Sequence, residues 1–401
     1  MQVLKWLNNS VQSAKKGRLA GFFLLLTLCG CQPDWTAKSD AELFAAARTE
    51  AGAALELGQR RANEQQWQAA LKWQQQALQL GQSSALAPLL QLMEHQHGYY
   101  TAAQFLSDWM QSASQQPDTA LTSHYGLWQG ASPVSGWQAP HCALTLQPVV
   151  QNQQAELHWL QLLTSWQKDK AMNRLAVCFA PAVRVNSLQL RCSMDSKTRV
   201  QCNYQYLADL VNTAAITQLL VIGGEGGASY NNGILQLAQT SGYSVFRHEF
   251  AHVLGFIDEY RLPVSTARQV CQRPDIPNLL TDLSLLTAHQ QRFSHQVQAE
   301  QLIKVETCAE AGRQAYALAD WSLMRYHEAE LSPLYLQLMQ HQLNSAKELM
   351  PVQYLYAYRA RMAGDMVSWS LFMRQAAALG YPDAIRLLEE AVRPTDRPAP
   401  G

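Results

Sequence analysis

Two histidines and a glutamate stand close together in the stretch SVFRHEFAHVLGFIDEY, which covers residues 244–260. His248 and His252 are four residues apart, so in a helix they lie one above the other on the same face. Two imidazoles in that arrangement can bind one zinc ion. Glu249 directly follows the first histidine, where its carboxylate can take a proton from a metal-activated water molecule. The spacing therefore predicts a helical zinc site.

The third metal ligand is expected just beyond this helix. Gly255 comes three residues after His252, where a residue without a Cβ atom allows the chain to turn sharply. Asp258 lies three residues further on and can fold back as a ligand. The complete HExxHxxGxxD pattern is far more specific than HExxH alone.

A second motif, Ser322-Leu323-Met324-Arg325-Tyr326, has the form S-x-M-x-Y. With the first motif it resembles the metzincin metallopeptidases, in which a methionine-containing turn lies beneath the metal. The resemblance implies that Met324 is the hydrophobic floor of the site and not a ligand. It also implies that Tyr326 binds the metal at rest or the oxyanion in the transition state. A locally hydrogen-bonded core tyrosine is the alternative for Tyr326.

Residues 216–260 are similar to the IgA-specific metallopeptidase family of metzincin-like zincins. In that family a hydrophobic strand and a Gly-rich turn precede a motif that ends in Asp-Glu-Tyr. This chain has one residue fewer before that ending, which leaves the third ligand open between Asp258 and Glu259. We favour Asp258, because its spacing fits the general metzincin pattern. The similarity covers about residues 180–335 and implies an α+β zincin domain with a mixed sheet and an active-site helix.

The first 31 residues have the pattern of an export signal. Basic residues end at Arg18 and are followed by an apolar run, Leu19–Leu28, that is too short to span a bilayer as a helix. The run ends in Leu-Cys-Gly-Cys, which resembles the lipobox of bacterial lipoproteins and implies a lipid on Cys31. Gln32 follows without an aspartate, so the resemblance favours the outer membrane, facing the periplasm. A plain secretory signal is the alternative.

The charge balance argues against a nucleic-acid partner. Four basic residues lie in the first 31 positions, and subtracting them from 31 leaves 27 basic against 31 acidic residues, a net charge of −4. The sequence has no basic patch.

Six cysteines remain after Cys31, an even number that predicts disulfides in an exported protein. Fifteen connectivities are possible, and pairing of sequence neighbours is the simplest. It would join Cys142 to Cys178, Cys192 to Cys202 and Cys271 to Cys308.

The chain divides into segments of different character. We predict a helical-repeat segment over 38–125, which resembles tetratricopeptide repeats, and a metallopeptidase domain over 136–332, after a Gly- and Pro-containing linker. A second helical-repeat segment follows over 333–393, then a disordered Pro-rich tail over 394–401. Within the catalytic domain we expect a hairpin over Ser187–Tyr206. We also expect an edge strand, Gly233–Ala238, that pairs with extended substrate, as in metzincin-like folds. A plain surface hairpin is the alternative.

These observations predict a lipid-anchored zinc endopeptidase that acts on proteins or peptides, with possible protein partners on the repeats. Two other classes stay open. One is a non-catalytic binding protein that uses the repeats as a scaffold. The other is a zinc amidase that cleaves cell-wall cross-links.

Overall fold

The computed structural model describes residues 33–113, 116–128 and 134–392. The predicted signal with Cys31 and the predicted tail over 394–401 lie outside the described residues. The chain separates into two compact units between Ser83 and Ser84. Among the described residues, no helix is long and apolar enough to cross a membrane.

The smaller unit contains three helices, α1 (Asp40–Ala46), α2 (Ala51–Asn63) and α3 (Trp67–Gln79). Ser39 caps α1, because its side chain accepts from the Glu42 backbone while the Glu42 carboxylate accepts from the Ser39 backbone. Helices α2 and α3 pack closely, and four of their fully buried residues are alanines: Ala53, Ala54, Ala70 and Ala77. Small residues allow two helices to approach closely, and the assignment to a repeat family stays a prediction.

The larger unit is mixed α+β, as predicted. Its helices, apart from short 3₁₀ turns, are α4 (Leu86–His97), α5 (Tyr99–Ser112), α6 (Thr119–His124), α7 (Gln153–Lys168), α8 (Ser187–Leu190), α9 (Ala208–Thr213), α10 (Tyr243–Val253), α11 (Val264–Val270), α12 (Leu286–Phe293), α13 (Pro333–Asn344), α14 (Val352–Met362), α15 (Met366–Ala378) and α16 (Pro382–Val392). Its strands are β1 (Leu144–Val150), β2 (Val177–Phe179), β3 (Val183–Arg184), β4 (Met194–Arg199), β5 (Gln218–Ile222), β6 (Glu225–Gly227), β7 (Ser229–Asn231), β8 (Ile234–Leu237), β9 (Leu279–Leu280), β10 (Ile303–Val305) and β11 (Ala315–Ala317).

The main sheet has the order β2-β1-β5-β8-β7, with β3 also paired to β1. All pairs are parallel except β7 with β8. The sheet is therefore mixed, as expected. Two small sheets accompany it, an antiparallel one in the order β10-β11-β9 and a parallel pair of β4 with β6.

Strand β5 shows how the main sheet carries a core on each face. Leu220 and Ile222 pack in one apolar cluster with α7 and α10, whereas Leu219 and Val221 pack in another with α9, α14 and α15. Alternate residues of a strand point to opposite faces, so all five residues of β5 are buried. Helices α14 and α15 therefore cover one side of the sheet, and α10 with the two histidines covers the other.

Two local predictions were wrong. Strand β8 lies inside the sheet, and β7 is the edge strand, because Asn232 and Gly233 both have positive φ and form a tight hairpin turn. The expected hairpin over Ser187–Tyr206 is instead a helix, α8, followed by β4, which pairs in parallel with β6.

The cysteine pairing of sequence neighbours is confirmed. Disulfides join Cys142 to Cys178, Cys192 to Cys202 and Cys271 to Cys308. The Cys192–Cys202 bond closes the loop that contains β4.

Candidate metal centre

Helix α10 is held in place by aromatic packing. Phe246 and Phe250 are fully buried, and their ring centroids lie 5.8 and 5.2 Å from that of Trp166 on α7. The opposite side of the helix carries His248 and His252, whose rings are 4.9 Å apart in an edge-to-face arrangement. The predicted alignment of the two imidazoles on one face is therefore present.

The helix ends where the sequence predicted. Gly255 has φ +84°, its N–H donates to the His252 carbonyl, and the N–H of Phe256 donates to the Ala251 carbonyl. These two bonds form a Schellman motif, which satisfies carbonyls that the end of a helix leaves free. The chain reverses after this cap and returns Asp258 to the histidines.

Three ligand atoms converge. Asp258 Oδ1 lies 3.0 Å from His248 Nε2 and 3.2 Å from His252 Nε2, and the three residues form a group able to hold a metal ion. Tetrahedral zinc ligands about 2.0–2.1 Å from the ion are roughly 3.3 Å from one another. The observed separations fit that geometry.

The ring nitrogens facing away from the centre fix the histidine tautomers. His248 Nδ1 lies 2.8 Å from the Leu323 carbonyl oxygen, and His252 Nδ1 lies 2.8 Å from that of Phe256. Each Nδ1 therefore carries a hydrogen, and the Nε2 atom of each ring faces Asp258. Asp258 Oδ1 is buried and accepts no hydrogen bond. When both rings are neutral, their Nε2 lone pairs face the Asp258 carboxylate, and a cation between the three ligand atoms removes the repulsion. The residues therefore fit a metal ion.

The charges of the three side chains are coupled to one another when no cation lies between them. Burial opposes ionisation of Asp258, but the two imidazoles outweigh it and hold the pKa of the carboxyl well below its usual range. Burial also lowers the pKa of His252, yet the negative charges of Asp258 and Glu249 outweigh it and raise that pKa.

Glu259 is an anchor and not a ligand. Its side chain is buried and accepts hydrogen bonds from Ser322 Oγ at 2.5 Å, from Asn278 Nδ2 at 2.9 Å and from the Tyr335 hydroxyl. Its backbone N–H also donates to the Met324 carbonyl at 3.0 Å. The sequence left the third ligand open between Asp258 and Glu259. The structure places Asp258 in the metal-binding group.

Met324 is fully buried in the core that also contains Phe250 and Tyr335. The carbonyl of its neighbour Leu323 accepts from His248, and its own carbonyl accepts from Glu259. The backbone of the 322–326 turn thus orients the His248 ring and the segment that contains Glu259, while the Met324 side chain packs in the interior.

Glu249 directly follows His248 and is nearly buried. Burial raises the pKa of its carboxyl, and the charges of His252 and His248 oppose this effect only in part. A carboxylate with a raised pKa is a better proton acceptor than one in water.

Three residues near the metal group were missed in the sequence. Burial, together with the charges of Asp258 and Glu249, raises the pKa of the Tyr260 hydroxyl above its usual range. The His327 ring is 4.3 Å from that of His248. The positive charge of Arg199 acts on both Glu249 and Tyr260. Tyr260 was recognisable from its position two residues after Asp258, but Arg199 has no sequence signal.

Tyr326 stacks on Trp321, with ring centroids 4.4 Å apart, and both rings are substantially exposed. Its role in binding the metal or an oxyanion stays a prediction. No protein-family model matches the chain, and no curated protein matches it.

Proposed function

We propose that this protein is a zinc-dependent endopeptidase with a metzincin-like active site. The observation that carries the proposal is the convergence of His248 Nε2, His252 Nε2 and Asp258 Oδ1, next to the buried carboxylate of Glu249. Two histidines and a carboxylate leave one position of a tetrahedral zinc ion open. The 322–326 turn, with a buried methionine, adds to the resemblance that the sequence suggested.

The protein residues have distinct roles in this proposal. His248, His252 and Asp258 would hold the zinc ion, which supplies Lewis acidity towards water and the substrate carbonyl. Glu249 accepts the proton of the attacking water and passes it to the leaving amine, a transfer that contributes roughly 10²–10⁴-fold in rate. Tyr260, whose hydroxyl interacts with Asp258, would donate a hydrogen bond to the substrate oxygen.

The test combines metal content with product analysis. The protein is loaded with zinc and incubated with a complex peptide mixture, and new peptide termini are identified by mass spectrometry. Glu249→Ala is the control, because it keeps all three metal-binding side chains. We expect one zinc ion per chain in both proteins and new termini only with the unaltered one. Equal products, or no zinc in either protein, would reject the proposal.

A location in the bacterial envelope is a separate part of the proposal. Three disulfides support an oxidising compartment, and the lipid anchor on Cys31 rests on the sequence pattern alone. Labelling with a radioactive fatty acid would test the anchor. The label should enter the unaltered protein and be absent from Cys31→Ser.

A further inference from the structure

A cleft of about 1110 Å³ lies between the edge of the main sheet and the C-terminal helices. One wall is the loop closed by Cys192 and Cys202, the second is the β7–β8 hairpin, and the third is formed by α14 and α15. Its size suits an extended ligand of several residues. We call it the Arg359 cleft.

The cleft and the metal centre share one neighbour, Arg199. Arg199 lines the cleft at the end of β4, and the charge of the same side chain acts on Glu249 and Tyr260. All three residues of the edge strand β7 also line the cleft, and β8 is the single described strand that pairs with β7. A peptide bound at the metal site could therefore continue along this edge into the cleft.

The charge of the cleft is mainly positive. Arg199, Arg359 and Asp365 are its charged lining residues. Asp365 is occupied as the N-cap of α15, where its side chain accepts from the Ser368 N–H at 2.9 Å. Among the described residues no carboxylate forms an ion pair with Arg199 or Arg359. The Arg359 guanidinium lies over the Tyr204 ring, 6.0 Å from its centroid, and keeps its hydrogen-bond donors available.

We propose that the Arg359 cleft is a specificity site that binds a carboxylate of the peptide substrate, at a fixed distance from the scissile bond. This inference rests on the proposed peptidase function. A planar guanidinium binds a carboxylate through two parallel hydrogen bonds, which a neutral amide cannot reproduce. The C-terminal helices would thus determine which peptides the metal site receives. The carboxylate could belong to an acidic side chain or to the end of the peptide chain.

The test measures binding without turnover. Immobilised Glu249→Ala protein, loaded with zinc, is incubated with two synthetic peptide libraries, one with free and one with amidated C-termini. Retained peptides are sequenced by mass spectrometry. We expect about tenfold enrichment of aspartate and glutamate at one position if a side chain binds, or of free over amidated peptides if the chain end binds.

Two further variants identify the responsible residue. Arg359→Gln should remove the enrichment, whereas Arg361→Gln should keep it, because Arg361 is exposed on the same helix and does not line the cleft. Unchanged melting temperatures would verify that both variants fold. Absence of any carboxylate preference, or its persistence in Arg359→Gln, overturns the cleft assignment even if the protein cleaves peptides. A preference that depends on Arg359, in a protein that cleaves nothing, supports the cleft and rejects the peptidase proposal.

Discussion

The Nδ1 atom of His248 lies 2.8 Å from the carbonyl oxygen of Leu323. This contact joins the helix that carries two candidate ligands to the turn that contains Met324, although the two elements are far apart in the sequence. It determines which nitrogen of His248 faces the metal group. Residues that orient ligands in this way typically change metal affinity 10–100-fold when they are altered.

Asp258→Asn and Glu259→Gln should affect different properties. The first should weaken zinc binding, and the second should lower stability. The first removes a metal-binding carboxylate, so we expect zinc affinity to fall by about 100-fold or more. The second removes the charge of an anchor that accepts three side-chain hydrogen bonds, so we expect it to lower the free energy of unfolding by about 1–3 kcal/mol and to retain zinc. Zinc titration and urea unfolding measure the two effects. A Glu259→Gln protein that loses zinc while remaining fully stable would contradict the assignment.

Two glycines with positive φ should differ in their tolerance of alanine. An added Cβ at Gly255 meets no atom closer than 3.5 Å, so Gly255→Ala should cost about 1–2 kcal/mol from its left-handed backbone alone. At Gly233 the added Cβ would lie 2.5 Å from the Cα of Val352, so the backbone must move. The decrease in the free energy of unfolding should therefore be larger for Gly233→Ala. Urea unfolding of both variants tests this order, and equal losses would contradict it.

The buried pair His289 and His295 predicts a loss of stability in mild acid. His289 Nε2–H donates to the Ile276 carbonyl, and His289 Nδ1 accepts from His295 Nε2–H at 2.7 Å, so both rings are neutral. Burial lowers the pKa of His289 to about 4, whereas an unfolded histidine titrates near 6.5. Between these values the unfolded state binds more protons, so stability falls as the pH falls, by up to about 3 kcal/mol.

The measurement is urea unfolding at pH 7.5 and pH 5. His289→Gln should be less stable than the parent at pH 7.5, because it breaks the buried chain of hydrogen bonds. Its free energy of unfolding should, however, decrease less between pH 7.5 and pH 5. An identical loss in both proteins would show that other groups cause the pH dependence.

The two tyrosines near the site, Tyr260 and Tyr326, should contribute unequally to the proposed peptidase reaction. Tyr260→Phe should lower kcat about tenfold or more, because its hydroxyl lies near Asp258 and Glu249. Tyr326→Phe should have a smaller effect, because its ring stacks on Trp321. Zinc content should be unchanged in both. A larger loss of kcat with Tyr326→Phe would indicate that Tyr326, as the family resemblance implies, and not Tyr260 contacts the substrate oxygen.

Disulfide removal should destabilise in order of loop length. Replacing Cys271 and Cys308 by alanine opens a loop with a sequence separation of 37, for which the chain-entropy estimate is about 4 kcal/mol. The same change at Cys192 and Cys202 opens a separation of 10 and should cost about 3 kcal/mol. Urea unfolding under oxidising conditions compares the two, and a greater loss from the shorter loop would contradict the estimate.

The sequence by itself determined the local features of this protein. Helix periodicity places His248 and His252 on one face. The conformational freedom of Gly255 ends the helix, so the chain can turn and bring Asp258 to the histidines. Both effects act over a few residues. The coarse α+β class and the disulfide pairs could also be predicted. The sequence left an edge strand and a surface hairpin open for this segment, because the order of strands in a sheet depends on pairing with strands that are distant in the sequence.

Tertiary structure alone decided which side chains share a site. Glu259 and Asp258 are adjacent carboxylates, and only packing against Ser322, Asn278 and Tyr335 turns one into an anchor and leaves the other to the metal group. Arg199 and Arg359 belong to distant segments and line one cleft only because the C-terminal helices pack on the sheet. Such long-range contacts depend on the burial of whole surfaces, which no short stretch of sequence specifies.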